Sequence, residues 1–444
     1  MTEAKGARMP QDAPRPAEVF RLPGFLPFWL AGTVSEFGSF ITLIALQVLV
    51  VQGLHGNAFE VGLLKSATWL PYVLLGLVVG ALIERRRRIP VLIGADLARA
   101  VILLAIPVLW LVGWLTLPAL LIFVGVFGLF TLLNDSASQS VLPRIVPAAS
   151  LLHANARIDQ SYTVAETSGP VIAGALVSLI GAPFAVLVDA ASYLFSAAAL
   201  SRVRLAEPRA VPGVRSHVGR DIRDGLRWVY GHRTLAPMAV STHVWFLFSS
   251  MLNTVFVPFL LTGLGMSAFQ LGIALAAAGA GGVAGALLAT RIGLRWGVGW
   301  TVIVGTALMA VGWVIIAVVP TGHGAGWQWT TLAVVAVGQA LYGFALGAEN
   351  SNEMGYRQAV TPDALQGRMN ATMRSINRAA LVIGAPVGGL LADAIGFRPT
   401  ILIGVAGLVV SLVIMAASPF RTARHGEVAP EFENSGSPPD AVVP

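Results

Sequence analysis

Apolar residues are gathered in this chain into long blocks. They recur at about 25–51, 61–83, 90–112, 115–138, 158–180 and 183–201, and again at about 236–261, 268–290, 299–319, 328–348, 369–392 and 398–417. Each block meets or approaches the roughly 20 apolar residues that a helix needs to cross a hydrocarbon core about 30 Å thick. The pattern predicts an all-α membrane protein with twelve transmembrane helices, six plus six. The first block is too long for a signal-peptide core and lacks a small-residue cleavage pattern, so it is read as the first spanning segment.

A repeat divides the blocks into two sets. Pro147 and Pro362 each stand eight residues before an Asn-Ala pair, Asn155-Ala156 and Asn370-Ala371. Both copies then rise through an apolar segment to Gly169-Pro170 or Ala385-Pro386, and end at Gly181 or Gly396. The offset is 215 residues, or 216 at the proline. A spacing kept over that distance marks a duplicated architecture. The boundaries this implies are a polar tail at 1–20, a first half at 21–201, a linker at 202–234, a second half at 235–420 and a tail at 421–444. Both tails lack an apolar period and are expected to be disordered.

Composition supports the membrane reading: 56% of residues are hydrophobic and 11% charged, with a mean hydropathy of +0.75. Soluble domains hold about 45–50% apolar and about 25% charged residues. The basic balance, +7 with a pI near 10.3, raises nucleic acid as a partner, and the placement of the charge answers it. Of the 29 basic residues, only Lys65 and Arg398 fall at the segment ends that alternate away from the N-terminal tail. The rest follow the positive-inside rule, which puts both termini in the cytoplasm and gives the excess charge a topological role instead of a nucleic-acid one. The linker from Arg202 to Thr234 carries eight arginines, with Val218, Ile222, Leu226 and Val229 at helical spacing. It reads as an amphipathic helix lying on the inner membrane surface, in contact with lipid.

Ala276-Ala277-Ala278-Gly279-Ala280-Gly281-Gly282 could pass for a dinucleotide loop. No strand precedes it and its surroundings are apolar, so helix packing through small residues is the better reading. The seven histidines are scattered, cysteine is absent, and no phosphate-binding loop occurs. The sequence therefore predicts no enzyme, no cofactor, no metal site and no ATP hydrolysis; uphill transport would draw on an ion gradient or the membrane potential.

Three stretches carry a family resemblance. Gly80-Ala-Leu-Ile-Glu84-Arg85-Arg-Arg-Arg88 through Leu92 resembles the major facilitator superfamily signature GxLaDrxGrrxxl, with Glu84 for Asp, Arg87 for Gly and Ile89 at an Arg position. Gly169-Pro170 with Gly174 resembles the antiporter element GPxxGG, with Ala173 at one glycine. VLVDAASYLFSAAAL around Asp189, DIRDGLRWVYGH and TPDALQGRMNA resemble the drug-exporter branch that includes enterobactin and macrolide exporters. The likeness spans about residues 21–420. It implies the major facilitator fold, with the loop after the second segment acting as a latch toward the inner end of the eleventh. It also implies a cavity lined by the first, fourth, seventh and tenth segments.

Ionisable residues inside apolar segments need a partner, a cavity or a proton, because a charge at the bilayer centre costs about 2.5–3.5 kcal/mol on insertion scales. Glu36, about eleven residues into the first segment, is read as a proton-coupling or substrate residue, against a carboxyl fixed in a packed interface. Glu166, three residues before Gly169-Pro170, serves either gating and structure or proton transfer. Arg378 either pairs with an acid such as Glu36 or Glu166 or receives an anionic substrate group. Asn134-Asp135 and Glu349-Asn350 stand at equivalent places at the ends of the fourth and tenth segments. They read as a symmetric polar ring at the cavity mouth or as helix caps. Asp96 and Arg99, three apart on a segment that is peripheral in the family, read as a structural pair. Aromatic pocket walls are sought at Phe130, Trp245, Phe248 and Phe344.

The expected function is secondary active export of a hydrophobic small molecule or drug, driven by proton antiport through alternating access. A monomer in a bacterial plasma membrane is expected, with protons, a small-molecule substrate and lipids as its partners. A dedicated siderophore or lipid-like exporter is the alternative within transport. A non-transporting membrane scaffold or sensor is the alternative outside it.

Overall fold

A computed structural model describes residues 18–84, 86–203, 218–320 and 325–426. Among the described residues the regular structure is helical, with no strand. The first half holds α1 (Phe25–Val48), α2 (Ala58–Glu84), α3 (Arg88–Leu111), α4 (Leu117–Ile145), α5 (Leu151–Ile180) and α6 (Ala182–Leu200). A short helix follows, α7 (Val218–Gly231). The second half holds α8 (Leu235–Pro258), α9 (Ala268–Trp296), α10 (Val298–Ala317), α11 (Ala325–Ala359), α12 (Asp363–Ile395) and α13 (Phe397–Ala416). Eleven described helices are long and apolar enough to cross a membrane. The uncharged run from Ser66 to Ile83 in α2 supplies a twelfth apolar span. Outward-facing Leu74, Val78, Val101, Leu111, Leu179 and Leu287 are 63% to 80% exposed, which suits hydrocarbon and would be costly in water.

The duplication is visible atom by atom. Gly181 ends α5 at φ 84°, ψ 153°, and Gly396 ends α12 at φ 92°, ψ 164°. Both sit in a region that L side chains rarely adopt, and each lets the next helix begin at once. α1 runs on into a π-helical turn, Leu49–Gly53, and α8 into Phe259–Gly263. The helices that follow open with matching reciprocal caps. Asn57 and Glu60 each accept the other's backbone N–H at 2.9 Å. Ser267 and Gln270 do the same at 2.9 and 3.2 Å. Each cap satisfies two donors that a helix start leaves open.

Four helices outrun their apolar blocks. α4 continues to Ile145, α5 starts at Leu151, α11 continues to Ala359 and α12 starts at Asp363. Hydropathy reports depth in the bilayer, whereas backbone hydrogen bonding carries a helix on into the polar zone. Asn134-Asp135 and Glu349-Asn350 therefore lie inside α4 and α11, more than two turns from the helix end, which corrects the capping alternative.

Two compact units form. One holds α1–α6 together with Val257–Ala276. Within it α1 packs on α5 and α6, α2 on α4, and α3 between α4 and α6. The other holds α7, most of α8, α9 from Ala277, and α10–α13. There the glycine-rich stretch is a helix-packing face: a side chain at Gly281 would strike the Ala340 carbonyl of α11, and one at Gly343 would strike that of Ala278. Such close approach of backbones is what small residues permit.

The linker helix packs one face on α12. Gly225 and Val229 are buried against α12, beside Met369 and Met373, while Ile222 and Leu226 stay exposed. Val218 heads the helix, but its side chain lies outside the described residues, as do residues 204–217. The expected tails lie mostly outside them too, at 1–17 and 427–444. Their inner ends are packed: Val19 and Ala423 are buried, and His425 Nε2 sits 2.7 Å from Asn352 Oδ1.

Candidate functional site

α1, α4 and α6 carry polar residues at helical spacing within otherwise apolar sequence: Ser35, Glu36, Ser39 and Thr42; Thr131, Asn134, Asp135 and Ser138; Asp189, Ser192, Tyr193 and Ser196. Folding turns these stripes toward one another. They meet α3 and α5 around a cavity of ≈ 530 Å³ in the first unit. That volume lies within the about 300–1,000 Å³ usual for small-molecule sites. Glu36 lines it, with Asp96, Arg99, Asn134 and Asp135, and aromatic wall is supplied by Phe28, Trp29 and Tyr162.

A connected polar network backs the cavity. Asp96 and Arg99 form an ion pair, 0% and 4% exposed. Asn134 Nδ2 donates to Asp96 Oδ1 at 3.0 Å, and Ser196 Oγ donates to Oδ2 at 2.6 Å. The Arg99 guanidinium lies 4.0 Å from the Tyr193 ring centroid, a cation–π placement, and the Tyr193 hydroxyl is 3.0 Å from Ser39 Oγ. Tyr72 donates to Asp135 Oδ2 at 2.6 Å. Glu36 lies in the fields of Asp135 and Arg99. The cavity thus presents several carboxyls and a guanidinium already engaged by one of them.

This changes the reading of the Asp96–Arg99 pair, expected to be peripheral and structural. The pairing is as expected, but α3 sits between α4 and α6, so both residues face the cavity beside Glu36. Glu166 is an exposed residue of α5 outside the cavity lining; Tyr162, one turn earlier, feels both Glu36 and Glu166.

Other sequence candidates lie in the second unit. Glu349 is buried, 3.4 Å from Thr306 Oγ1, whereas its neighbour Asn350 is exposed. Glu353, one turn on, accepts from Thr242 at 3.3 Å and pairs with Arg357 at 3.6 Å. Arg378 is half-buried on α12, and Asn377 beside it is bonded to His243 at 2.6 Å. His243 also meets the Tyr230 hydroxyl of α7 at 2.7 Å, so its two ring nitrogens join α7, α8 and α12. Trp245 donates to Met309 Sδ at 3.2 Å, and Phe248 packs against Gly407. Phe344 borders the glycine face of α9, and Phe130 lies outside the cavity lining. Among the described residues no group of three His, Cys, Asp or Glu side chains is arranged to hold a metal ion.

Of the signature residues, Arg88 is buried at the head of α3 and Gly80 has open space around it. Arg85 and the side chain of Glu84 lie outside the described residues. Gly169 and Pro170 are buried in α5, with Gly169 against the Phe40 side chain. Gly174 meets the Ala268 carbonyl, within the same unit. Sequence reasoning missed Tyr72, Tyr162, Glu353, His243 and the Asp189 cluster. The stripes on α1, α4 and α6 could have found the last of these.

Known proteins agree with this architecture. The multidrug efflux pump Tap of Mycolicibacterium fortuitum is 27% identical over 383 residues, 84% of this chain and 90% of that pump. Tap of Mycobacterium tuberculosis is 26% identical over 403 residues, covering 86% of this chain and 90% of its own length. Among solved structures, the nucleoside transporter NupG superposes with a TM-score of 0.73 at 12% identity, over 89% of this chain and 99% of that one. A bacterial homologue of the iron transporter ferroportin, inward-facing, gives 0.71 at 15% identity over 90% and 98%. These structures share the fold of a multi-pass membrane transporter. The transmembrane secretion effector family matches residues 13–439, and the chain belongs to that family of major facilitator superfamily transporters.

Proposed function

We propose that this transporter exports a moderately hydrophobic small molecule in exchange for protons. The observation that carries the reading is Glu36: a carboxyl in the middle of a spanning helix, lining a ≈ 530 Å³ cavity whose walls combine aromatic and polar groups. A carboxyl so placed can take up and give back a proton while facing substrate, and alternating access would expose it to each side in turn. The resemblance to efflux pumps named for multidrug export, and Gly169-Pro170 with Gly174, favour the outward direction. Charge placement favours a plasma membrane topology with both termini cytoplasmic, and the chain acts as a monomer. The domain limits in this reading are those of the sequence repeat. Asp135, Asn134, Glu349 and Asn350 line the path of the substrate, Glu84, Arg85 and Arg88 form the latch, and Arg378 supplies positive charge to an acid or an anionic substrate group.

Purified protein in liposomes under an imposed pH gradient tests the proposal, with ethidium as the transported probe. Wild type is expected to move the dye against its gradient, and Glu36→Gln to lose roughly tenfold or more of that flux. Full gradient-driven flux in Glu36→Gln would remove Glu36 from the mechanism, and no dye movement by wild type would remove ethidium-type export.

A further inference from the structure

Behind the cavity wall, in the dry interior of the first unit, α6 carries a carboxyl that the proposed cycle has not used. Asp189 is 0% exposed, on a helix that packs against α1 and α3. Thr42 Oγ1 of α1 donates to its Oδ2 at 2.6 Å. Ser192 Oγ lies 2.8 Å from the Asp189 main-chain carbonyl and 2.9 Å from Oδ1. Serine has one hydroxyl hydrogen and can donate fully along only one of these lines. In a helix it habitually goes to the carbonyl one turn back, which leaves the Oδ1–Oγ contact without a hydrogen. A proton on Oδ1 supplies it: the carboxylic acid donates to Ser192 Oγ, and every group is satisfied.

The surroundings favour the same state. A side-chain carbon at Gly38 of α1 would strike both Oδ1 and Ser192 Oγ, so the α1 backbone closes that side. Among the described residues, no Lys, Arg or His nitrogen lies within 4.0 Å of this carboxylate. An ionised group there would be buried without a direct counter-charge. The cation whose field reaches Asp189 is Arg99 of α3, while its ion pair is with Asp96. Arg99 Nε is buried without an acceptor among the described residues, so the guanidinium has a donor to spare.

We infer that Asp189 carries a proton in this conformation and releases it during transport, and that Arg99 is the cation that answers the charge left behind. The inference rests on the proton-coupled reading and extends it. Loss of the proton turns a neutral acid into a carboxylate; the proton leaves past the Tyr193 and Ser39 hydroxyls, 3.0 Å apart, to cavity water. Arg99 then serves Asp189 as well as Asp96, and Asp96 becomes more negative where it meets the cavity beside Glu36. Asp189 and Asp96 thereby compete for one guanidinium, so proton release at Asp189 leaves negative charge at the cavity for a cationic substrate, which is the condition for exchange. The charged and titratable groups facing this centre are Glu36 from α1, Asp96 and Arg99 from α3 and Tyr193 on α6; Asp135 from α4 acts at the cavity side, and Glu166 of α5 lies outside the cavity lining.

The test combines infrared spectroscopy with flux in liposomes. The protonated-carboxyl stretch of wild type at neutral pH is expected to lose one band in Asp189→Asn. Gradient-driven ethidium flux is expected to fall roughly tenfold or more, while ethidium exchange without a pH gradient persists. An unchanged infrared band, or full gradient-driven flux in the variant, overturns the inference. If wild type moves no ethidium at all, the export reading fails on that ground, and the band alone decides whether Asp189 holds a proton. Should Asp189→Asn not fold, Ser192→Ala removes the acceptor of the acid proton and is expected to shift the same band; an unshifted band overturns the inference.

Discussion

Gly272 of α9 lies against the carbonyl of Pro170 on α5, and Gly174 of α5 lies reciprocally against the carbonyl of Ala268. Neither position has room for a side-chain carbon. This double contact fastens Val257–Ala276, which belongs by sequence to the second half, into the unit built on α1–α6. The antiporter-like motif is here a docking face for a helix start.

Gly272→Val should therefore force that segment away. Overpacking of this kind costs about 1–3 kcal/mol. Hydrogen exchange of residues 257–276 should rise in Gly272→Val and in Gly174→Val. Gly94→Ala, where nothing lies within 4 Å, should leave it unchanged. Equal exchange in all three proteins would dismiss the contact as incidental.

Removing Arg99 should be far more damaging than removing its pairing. Arg99→Leu strands Asp96 among Asn134 and Ser196 with no cation, and breaking a buried pair on one side costs about 3–5 kcal/mol. Asp96→Asn combined with Arg99→Gln removes both charges and keeps polar contacts. Thermal unfolding in detergent should show the double variant more stable than Arg99→Leu alone. A double variant that loses at least the sum of the two single losses would contradict this account.

The reach of the sequence can be judged at particular residues. The repeat was legible because glycine at 181 and 396 answers a backbone demand, φ 84° and 92°, that few other residues meet. The caps Asn57–Glu60 and Ser267–Gln270 were equally open to reading, since their spacing is the mechanism. Glu36 stood out because a charge in an apolar run has few bland explanations. Tyr72 and Tyr193 did not, because a tyrosine in a spanning helix looks like packing until its hydroxyl meets Asp135 or Ser39. The standing of α3 was misjudged for a related reason: Asp96 and Arg99 are local in sequence, but only packing against α4 and α6 decides which way they face.

Glu349 and Glu353 form a like-charge pair one turn apart on α11, with Arg357 beside the second acid and a Thr306 hydroxyl beside the first. Like charges at this spacing are unfavourable, and burial magnifies the effect. Glu349→Gln keeps an acceptor for Thr306 and removes one charge. It should stabilise the protein by about 1 kcal/mol, within the range seen when buried charges are replaced. Arg357→Met should destabilise it, because two carboxyls then share no cation. A melting temperature that falls in Glu349→Gln would show that Glu349 holds a counter-charge outside this description.

The linker helix offers a separation of charge from shape. Arg368 and Asp224 join α12 to α7 at 3.2 Å, but their side chains are 38% and 37% exposed. A pair so open to solvent is worth about 0–1 kcal/mol, so Arg368→Ala should barely alter stability. Gly225 is different: a side chain there would meet Thr372 Oγ1 and lie 2.8 Å from the Arg368 carbonyl oxygen. Gly225→Leu should lift α7 from α12, pulling Trp228 Nε1 from Thr361, 3.4 Å away, and Tyr230 from His243. Trp228 fluorescence should then move toward longer wavelength in Gly225→Leu and stay fixed in Arg368→Ala. The opposite ranking would mean that charge, and not close packing, seats the linker, and that the arginines counted for topology also hold the helix in place.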